Sequence, residues 1–332
     1  MGLDIPLIDK RVVSHFQQGL QEKKWLALSN SSPAKLASDV NLPFSMDTSS
    51  ARYVPFNVFA LFLRSLKDHL SPSAFTSLLL ESADHAAQEL QFSELSIQDF
   101  LLQFPVGNLL VKQGSGGLSI SFKMTTSVAS HVESELFLIV YTHAYFKSHY
   151  ADLGKPIRYD LVTRSSEQLS ELKIQTDTPQ YLGQASTCIQ YPPLAKECAL
   201  EVQAQSMTDT SKVAEALSPY IGRMDLDLDT FCDLNSLGKR TIQRALSQEN
   251  TTFREVKESL AFDFAKRVLA DQAYSIADVA QHLGYADASQ FIRAFKRANG
   301  ITVPMEKAEL VKRHHLIFNL LFHLRILRRP SK

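Results

Sequence analysis

Residues 275–304, SIADVAQHLGYADASQFIRAFKRANGITVP, leave this chain few folds to choose from. Ile276, Val279, Ala280 and Leu283 recur at the i, i+3, i+4, i+7 spacing of a single helical face. Gly284 follows, a residue suited to a tight turn with an unusual backbone angle. A second helix is predicted from about Asp287, as its N-terminal cap, to Ala298. At about 100° per residue, Phe291, Ala294, Phe295 and Ala298 share one side of it, and Ser289, Gln290, Arg293, Lys296 and Arg297 the other. A packed back and a front of hydrogen-bonding side chains are what a helix needs to read the major groove. An ordinary amphipathic helical pair has the same periodicity, so one copy does not decide the matter.

The pattern occurs twice. Upstream, residues 229–246 read DTFCDLNSLGKRTIQRAL. Thr230, Phe231, Cys232 and Ser236 match Asp278, Val279, Ala280 and Gly284 at an offset of 48. Beyond the turn Ile242, Arg244 and Leu246 match Phe291, Arg293 and Phe295 at 49, so the second turn is one residue longer. Ile242, Ala245 and Leu246 form the predicted back of the first reading helix, with Arg240 and Arg244 opposite and Gln243 beside them. Between the copies, residues 252–270 place Phe253, Val256, Leu260, Phe264 and Val268 along one stripe. A helix of about 18 residues is roughly 27 Å long. That is comparable with the ~34 Å between successive major-groove faces on one side of a duplex, so one chain could serve two adjacent grooves.

Two helix-turn-helix units separated by a helix, with AKRVLAD, SIADVAQHLGY, FIRAFKR and a closing GITVP, resemble the DNA-binding domain of the AraC/XylS family of transcription regulators. The resemblance covers roughly residues 211–308. In the second copy Ala280, Leu283, Gly284, Tyr285, Phe291, Arg293, Phe295, Lys296, Gly300 and Pro304 follow the family pattern. The first copy departs from it: Cys232 replaces a small alanine, Ser236 a glycine, and Gly238 the serine that would cap the reading helix. The resemblance implies an effector-binding or dimerising N-terminal domain, a homodimer, and RNA polymerase as a partner if the protein is an activator. CIQYPPLAKECAL is similar to the close of the N-terminal domain in the arabinose-binding-like branch, although the Gly-rich Leu/Ser stretch of that branch is missing.

Formal net charge is zero, which is at odds with a nucleic-acid partner until the chain is divided. After Ser211 there are 19 Lys/Arg against 14 Asp/Glu, about +5, which leaves about −5 for the rest. The basic excess thus lies in the C-terminal part, where phosphate contacts require it, although residues 212–308 alone balance at 13 Lys/Arg against 13 Asp/Glu and the extension 309–332 supplies the surplus. It is modest, so affinity is expected to need two units or two chains together. Cys188, Cys198 and Cys232 are odd in number and lack C-x-x-C spacing, which suggests neither a disulfide framework nor a zinc site. With no apolar segment at the start and none of membrane-spanning length, a cytoplasmic location is expected, nucleoid-associated when bound.

For residues 1–201 the patterns predict an α+β domain. Phe56, Phe59, Ala60, Leu63 and Leu66 mark a helix over 53–70, a second helix runs from Ser73 to about Leu90, and a short one spans 96–104. GSGG at 114–117 precedes the alternating LSISFKM, a turn and strand rather than a phosphate loop. Residues 133–150 read as a buried helix, and 157–163 and 186–191 as strands. His131, His143 and His149 invite a metal, but His143 and His149 are six apart, not the four of a helical zinc pair. No metal or other cofactor is expected. Tyr141, His143, Tyr145, Arg158 and Tyr159 are the candidate ligand-binding residues, between helix and sheet. Residues 202–211, polar and aperiodic, are the expected linker; 212–308 form the all-α DNA-binding domain; and 309–332 form an amphipathic extension, with Leu316, Ile317, Leu320, Leu321 and Leu324 ahead of Arg325, Arg328 and Arg329.

From these readings and the resemblance, a sequence-specific DNA-binding transcription regulator is expected. Lys239, Arg240, Gln243 and Arg244 are expected to face DNA from the first unit, and Ser289, Gln290 and Arg293 from the second, with Lys296 and Arg297 on phosphates. Control is expected from a small-molecule effector or dimerisation, or alternatively from a protein partner. An enzyme such as a DNA-repair methyltransferase would need a zinc-bound cysteine cluster or a Pro-Cys-His nucleophile, and the sequence has neither.

Overall fold

The computed structural model describes residues 2–22, 32–43, 51–91, 109–122, 132–150, 153–164, 177–193, 202–203, 207–222, 226–270, 274–300 and 303. By its internal contacts the chain divides into two units, Met1–Pro219 with Cys232–Ala245, and Tyr220–Phe231 with Leu246–Lys332. The expected helix at 96–104, together with His131, Cys198 and the extension 309–332, lies outside the described residues.

The N-terminal region opens with β1 (Leu7–Asp9), α1 (Lys10–Glu22) and α2 (Pro33–Asp39). β2 (Tyr53–Pro55) pairs antiparallel with β1, Ile8 opposite Val54. The helix expected from Tyr53 therefore starts later, as α3 (Phe56–His69), because the first three residues belong to that pairing. α4 (Pro72–Gln91) begins on its proline, where a missing N–H costs nothing. α5 (Val132–His149) is the predicted buried helix and packs against α4 and α3. Phe16 of α1, Phe59 of α3 and Phe137 of α5 meet edge to face, with ring centroids 4.9–6.0 Å apart.

Six strands make the second layer: β3 (Leu109–Gly114), β4 (Gly117–Phe122), β5 (Arg158–Asp160), β6 (Gln180–Tyr181), β7 (Thr187–Tyr191) and β8 (Val202–Gln203). Their order is β6-β5-β7-β4-β3-β8, antiparallel except for β5 with β6. The GSGG stretch is a hairpin turn, as its composition predicts. Gly117 has φ +114°, and a Cβ there would lie 2.1 Å from the Tyr191 carbonyl oxygen. β4 alternates as expected, with Leu118, Ile120 and Phe122 buried. β5 is shorter than the predicted 157–163 because two amides beyond it turn to a side chain. The buried Glu135 carboxylate of α5 accepts from Val162 N (2.8 Å), Thr163 N (3.0 Å) and the Thr187 hydroxyl. A buried acid is tolerated only when it is satisfied in this way, and here it fastens α5 to the sheet.

Residues 202–203 and 207–211 of the expected linker are not without structure. Val202 and Gln203 add an edge strand to β3, and Thr208 caps α6 (Asp209–Leu217) by accepting from Ser211 N at 3.1 Å. Asp209 Oδ1 accepts from Leu3 N (2.8 Å), and Lys212 Nζ donates to the Leu3 carbonyl (2.7 Å). Ties between side chain and backbone leave no apolar period, so the sequence hid them.

After a 3₁₀ turn (Ser218–Tyr220), every remaining described element is helical: α7 (Leu228–Asn235), α8 (Lys239–Gln248), α9 (Phe253–Ala270), α10 (Ile276–His282) and α11 (Ala288–Asn299). α9 has the predicted extent, with Thr252 capping it through Glu255 N (3.2 Å). Its single predicted stripe needs correction. Val256 is buried, but Phe253, Leu260, Phe264 and Val268 are only partly so, and the deeply buried side chains are Phe262, Ala265 and Leu269. These pack with Val279, Ala280, Phe291 and Phe295, and the Phe262 and Phe295 rings meet edge to face at 5.4 Å. A helix with apolar side chains on more than one face gives no unique stripe to a periodicity argument. No helix among the described residues is long and apolar enough to cross a membrane.

Candidate nucleic-acid interface

Both helix-turn-helix units turn by the same backbone device. In the first, Ser236 N donates to Asp233 O (3.2 Å) and Leu237 N to Cys232 O (3.0 Å). In the second, Gly284 N donates to Gln281 O (3.0 Å) and Tyr285 N to Ala280 O (2.9 Å). These are paired Schellman bonds, which satisfy the last carbonyls of a helix and need a left-handed residue between them. Ser236 supplies it at φ +53° and Gly284 at φ +79°. The donors and acceptors of the two turns correspond at the 48-residue offset. From the left-handed residue to the reading helix there are then three steps in the first unit (Ser236 to Lys239) and four in the second (Gly284 to Ala288), as the shift to 49 predicts.

The reading helices start differently. Asp287 caps α11 by accepting from Gln290 N at 2.7 Å, the role expected of it. Gly238 has no side chain to offer; its carbonyl alone receives Thr241 N (2.9 Å) and Ile242 N (3.2 Å). Behind the helices Ile242, Leu246, Phe291 and Phe295 are fully buried. Ala298, expected with them, is exposed at the last turn of α11. Lys239, Arg240, Gln243 and Arg244 on α8 are all exposed, as are Ser289, Gln290, Arg293, Lys296 and Arg297 on α11.

On the second unit Gln290, Arg293 and Arg297 come together with Tyr285 and Ala294 around an open depression of about 480 Å³. Ser289 and Lys296 are not among its lining residues. Sequence reasoning placed Tyr285 in the family pattern but not at the interface; its position directly after the turn glycine was the available signal. Its ring packs edge to face on Phe291 at 5.3 Å. Burial raises its phenol pKa, Glu258 raises it further, and Arg297 and Arg254 oppose the shift.

The five N-terminal candidates do not converge. Tyr141 and Tyr145 are buried in α5. Tyr141 packs on Phe137 (centroids 4.2 Å), and burial raises its pKa, with the Ser82 hydroxyl of α4 opposing. His143 turns to the sheet, where Nδ1 lies 3.0 Å from the Tyr191 hydroxyl and the rings stack at 6.0 Å. Burial, helped by Lys147, lowers the His143 pKa to about 4. Tyr159 is buried on β5, and its phenol is raised by burial. Arg158, its neighbour on the opposite strand face, is occupied by Asp160 at 2.7 Å and lies over the Tyr181 ring at 3.9 Å. Tyr191, absent from the sequence candidates, is the residue His143 meets. Among the described residues no group of three or more His, Cys, Asp or Glu could hold a metal ion.

The geometry and the sequence comparisons agree on the C-terminal segment: residues 231–304 match the family described as a helix-turn-helix domain. With its two units and connecting helix it is a domain of the AraC/XylS type. The chain is similar to the HTH-type transcriptional activator CfaD of Escherichia coli, 31% identical over 75 residues, 23% of this chain and 28% of that protein. It is similar, with the same identity and coverage, to the DNA-binding dual transcriptional regulator Rns of Escherichia coli. The match thus spans under a third of the length of these curated relatives. The solved transcriptional regulator CdpR from Pseudomonas aeruginosa aligns over 89% of this chain and 98% of its own, at 19% identity and a TM-score of 0.32, too loosely to argue from.

Proposed function

We propose that this protein is a sequence-specific DNA-binding transcription regulator of the AraC/XylS type. The observation that carries the reading is the repeated Schellman turn, each leading into a helix with a buried back and an exposed Arg/Lys/Gln face. Arg240, Gln243 and Arg244, with Lys239, read one stretch of groove, and Ser289, Gln290 and Arg293 read another. Arginine recognises guanine, and glutamine adenine, through paired hydrogen bonds. Lys296 and Arg297, a turn farther along α11, hold phosphates. Similarity to CfaD, a transcriptional activator, supports activation as the direction, with RNA polymerase as the partner. Control passes through the N-terminal domain, by an effector or by dimerisation, in the cytoplasm. The scattering of the five N-terminal candidates favours dimerisation or a protein partner over a ligand held by those residues.

Selection of duplexes from a random pool by the full chain tests the reading. Paired sites about one helical turn apart, roughly 10 base pairs, are the expected result. Arg293→Ala should weaken binding by about 1–3 kcal/mol and relax preference at one position. Retention of random duplexes with no shared sequence would refute specific recognition.

A further inference from the structure

The open depression beside α11 is lined by one residue with a polar side chain that the proposed interface leaves unused, Tyr285. Tyr285 lies in the turn before the reading helix, not on the helix itself. Its ring meets Phe291 edge on, which fixes the direction of the phenol. Phenylalanine would fill the same core contact, so packing alone does not require the hydroxyl. Around it stand Arg293 and Arg297 of α11, and Arg254 of α9 acts on it electrostatically. The Arg254 side chain is 81% exposed and pairs with Glu258 at 3.0 Å, which leaves three guanidiniums against one carboxylate.

We infer that Tyr285 is a DNA-backbone contact: its hydroxyl donates to a phosphate oxygen at the rim of the groove, flanked by Arg297 and Arg254, while Gln290 and Arg293 face the bases. The inference rests on the DNA-binding reading above. A position before the reading helix suits a phosphate, because contacts flanking a recognition helix set register without carrying sequence. A phenol is protonated at neutral pH, and burial raises its pKa further, so it remains a donor. A locked neutral donor between two flexible cations would fix where along the groove α11 docks.

The test uses the full-length protein, a duplex selected by the wild type and a scrambled duplex of equal composition, across a salt titration. Tyr285→Phe should weaken both duplexes by the same factor, on the order of 3- to 10-fold, with an unchanged melting curve. Arg297→Gln should lower the slope of log affinity on log salt by about 1. Arg254→Gln, remote from the core, should repeat the sequence-independent loss should Tyr285→Phe melt early. Wild-type affinity of Tyr285→Phe for both duplexes, or a loss confined to one base position, overturns the assignment. A wild-type chain that binds neither duplex overturns the DNA-binding reading itself, a distinguishable outcome.

Discussion

Ser236 and Gly284 occupy equivalent left-handed positions, one with a Cβ and one without, and exchanging them measures the cost of that Cβ. At φ +53° a non-glycine residue pays about 1–2 kcal/mol against its ordinary backbone regions. Glycine would remove that cost but lose more chain entropy on folding, about 0.5–1 kcal/mol. Ser236 is exposed, so little side-chain packing is lost. Ser236→Gly should therefore stabilise the first unit by about 0.5–1 kcal/mol, and Gly284→Ala, in which both terms reverse, should destabilise the second by about 0.5–1 kcal/mol. Thermal unfolding followed by circular dichroism reads the global effect, a shift of roughly 1–8 °C in Tm for domains between about 60 and 250 residues. Amide exchange at Leu237 and Tyr285, the donors whose acceptor lies five residues back in each turn, reads the local one. Slower exchange at Leu237 in Ser236→Gly and faster exchange at Tyr285 in Gly284→Ala are expected. Destabilisation by Ser236→Gly, or a Gly284→Ala chain as stable as wild type, would refute the backbone argument.

Three further outcomes follow from single contacts. Asn57 Nδ2 donates to the Asn235 carbonyl at 3.1 Å with both residues buried, so Asn57→Ala should cost about 1–3 kcal/mol in urea unfolding. An unchanged midpoint would show the bond to be dispensable. His143, with its pKa lowered to about 4, is neutral in the folded chain at pH 5, whereas an unfolded histidine titrates near 6.5. Stability is therefore retained above about pH 6.5 and lost as pH falls from there toward 4, by up to roughly 3 kcal/mol. Imidazole NMR should show His143 neutral at pH 5, and His143→Gln should flatten the slope; an ordinary titration near 6.5 would contradict the burial argument. Gly238→Ser should give α8 a side-chain cap and a few tenths of a kcal/mol, seen as slower amide exchange in its first turn; a Cβ there meets nothing closer than Thr241 Oγ1 at 3.5 Å.

Local pattern carried the sequence reading furthest where local bonds make the structure. The turn residues, the Asp287 cap, the extent of α9 and the hairpin at Gly117 depend on neighbours within five positions, or on a residue type with few substitutes. Long-range pairing was invisible. Tyr53–Pro55 reads as helix until β1 competes for it, and β5 stops where Glu135 takes its amides.

The sequence by itself therefore determined that two units repeat, where each turns and which side chains lie opposite their apolar backs, because helical period and left-handed turn chemistry are local properties. Only the tertiary structure decided that α9 buries Phe262, Ala265 and Leu269 as well, that residues 202–203 and 208–211 are tied by strand and helix into the N-terminal fold, and that His143 meets Tyr191. Those outcomes depend on which distant surfaces come together, and spacing along one chain does not encode that directly.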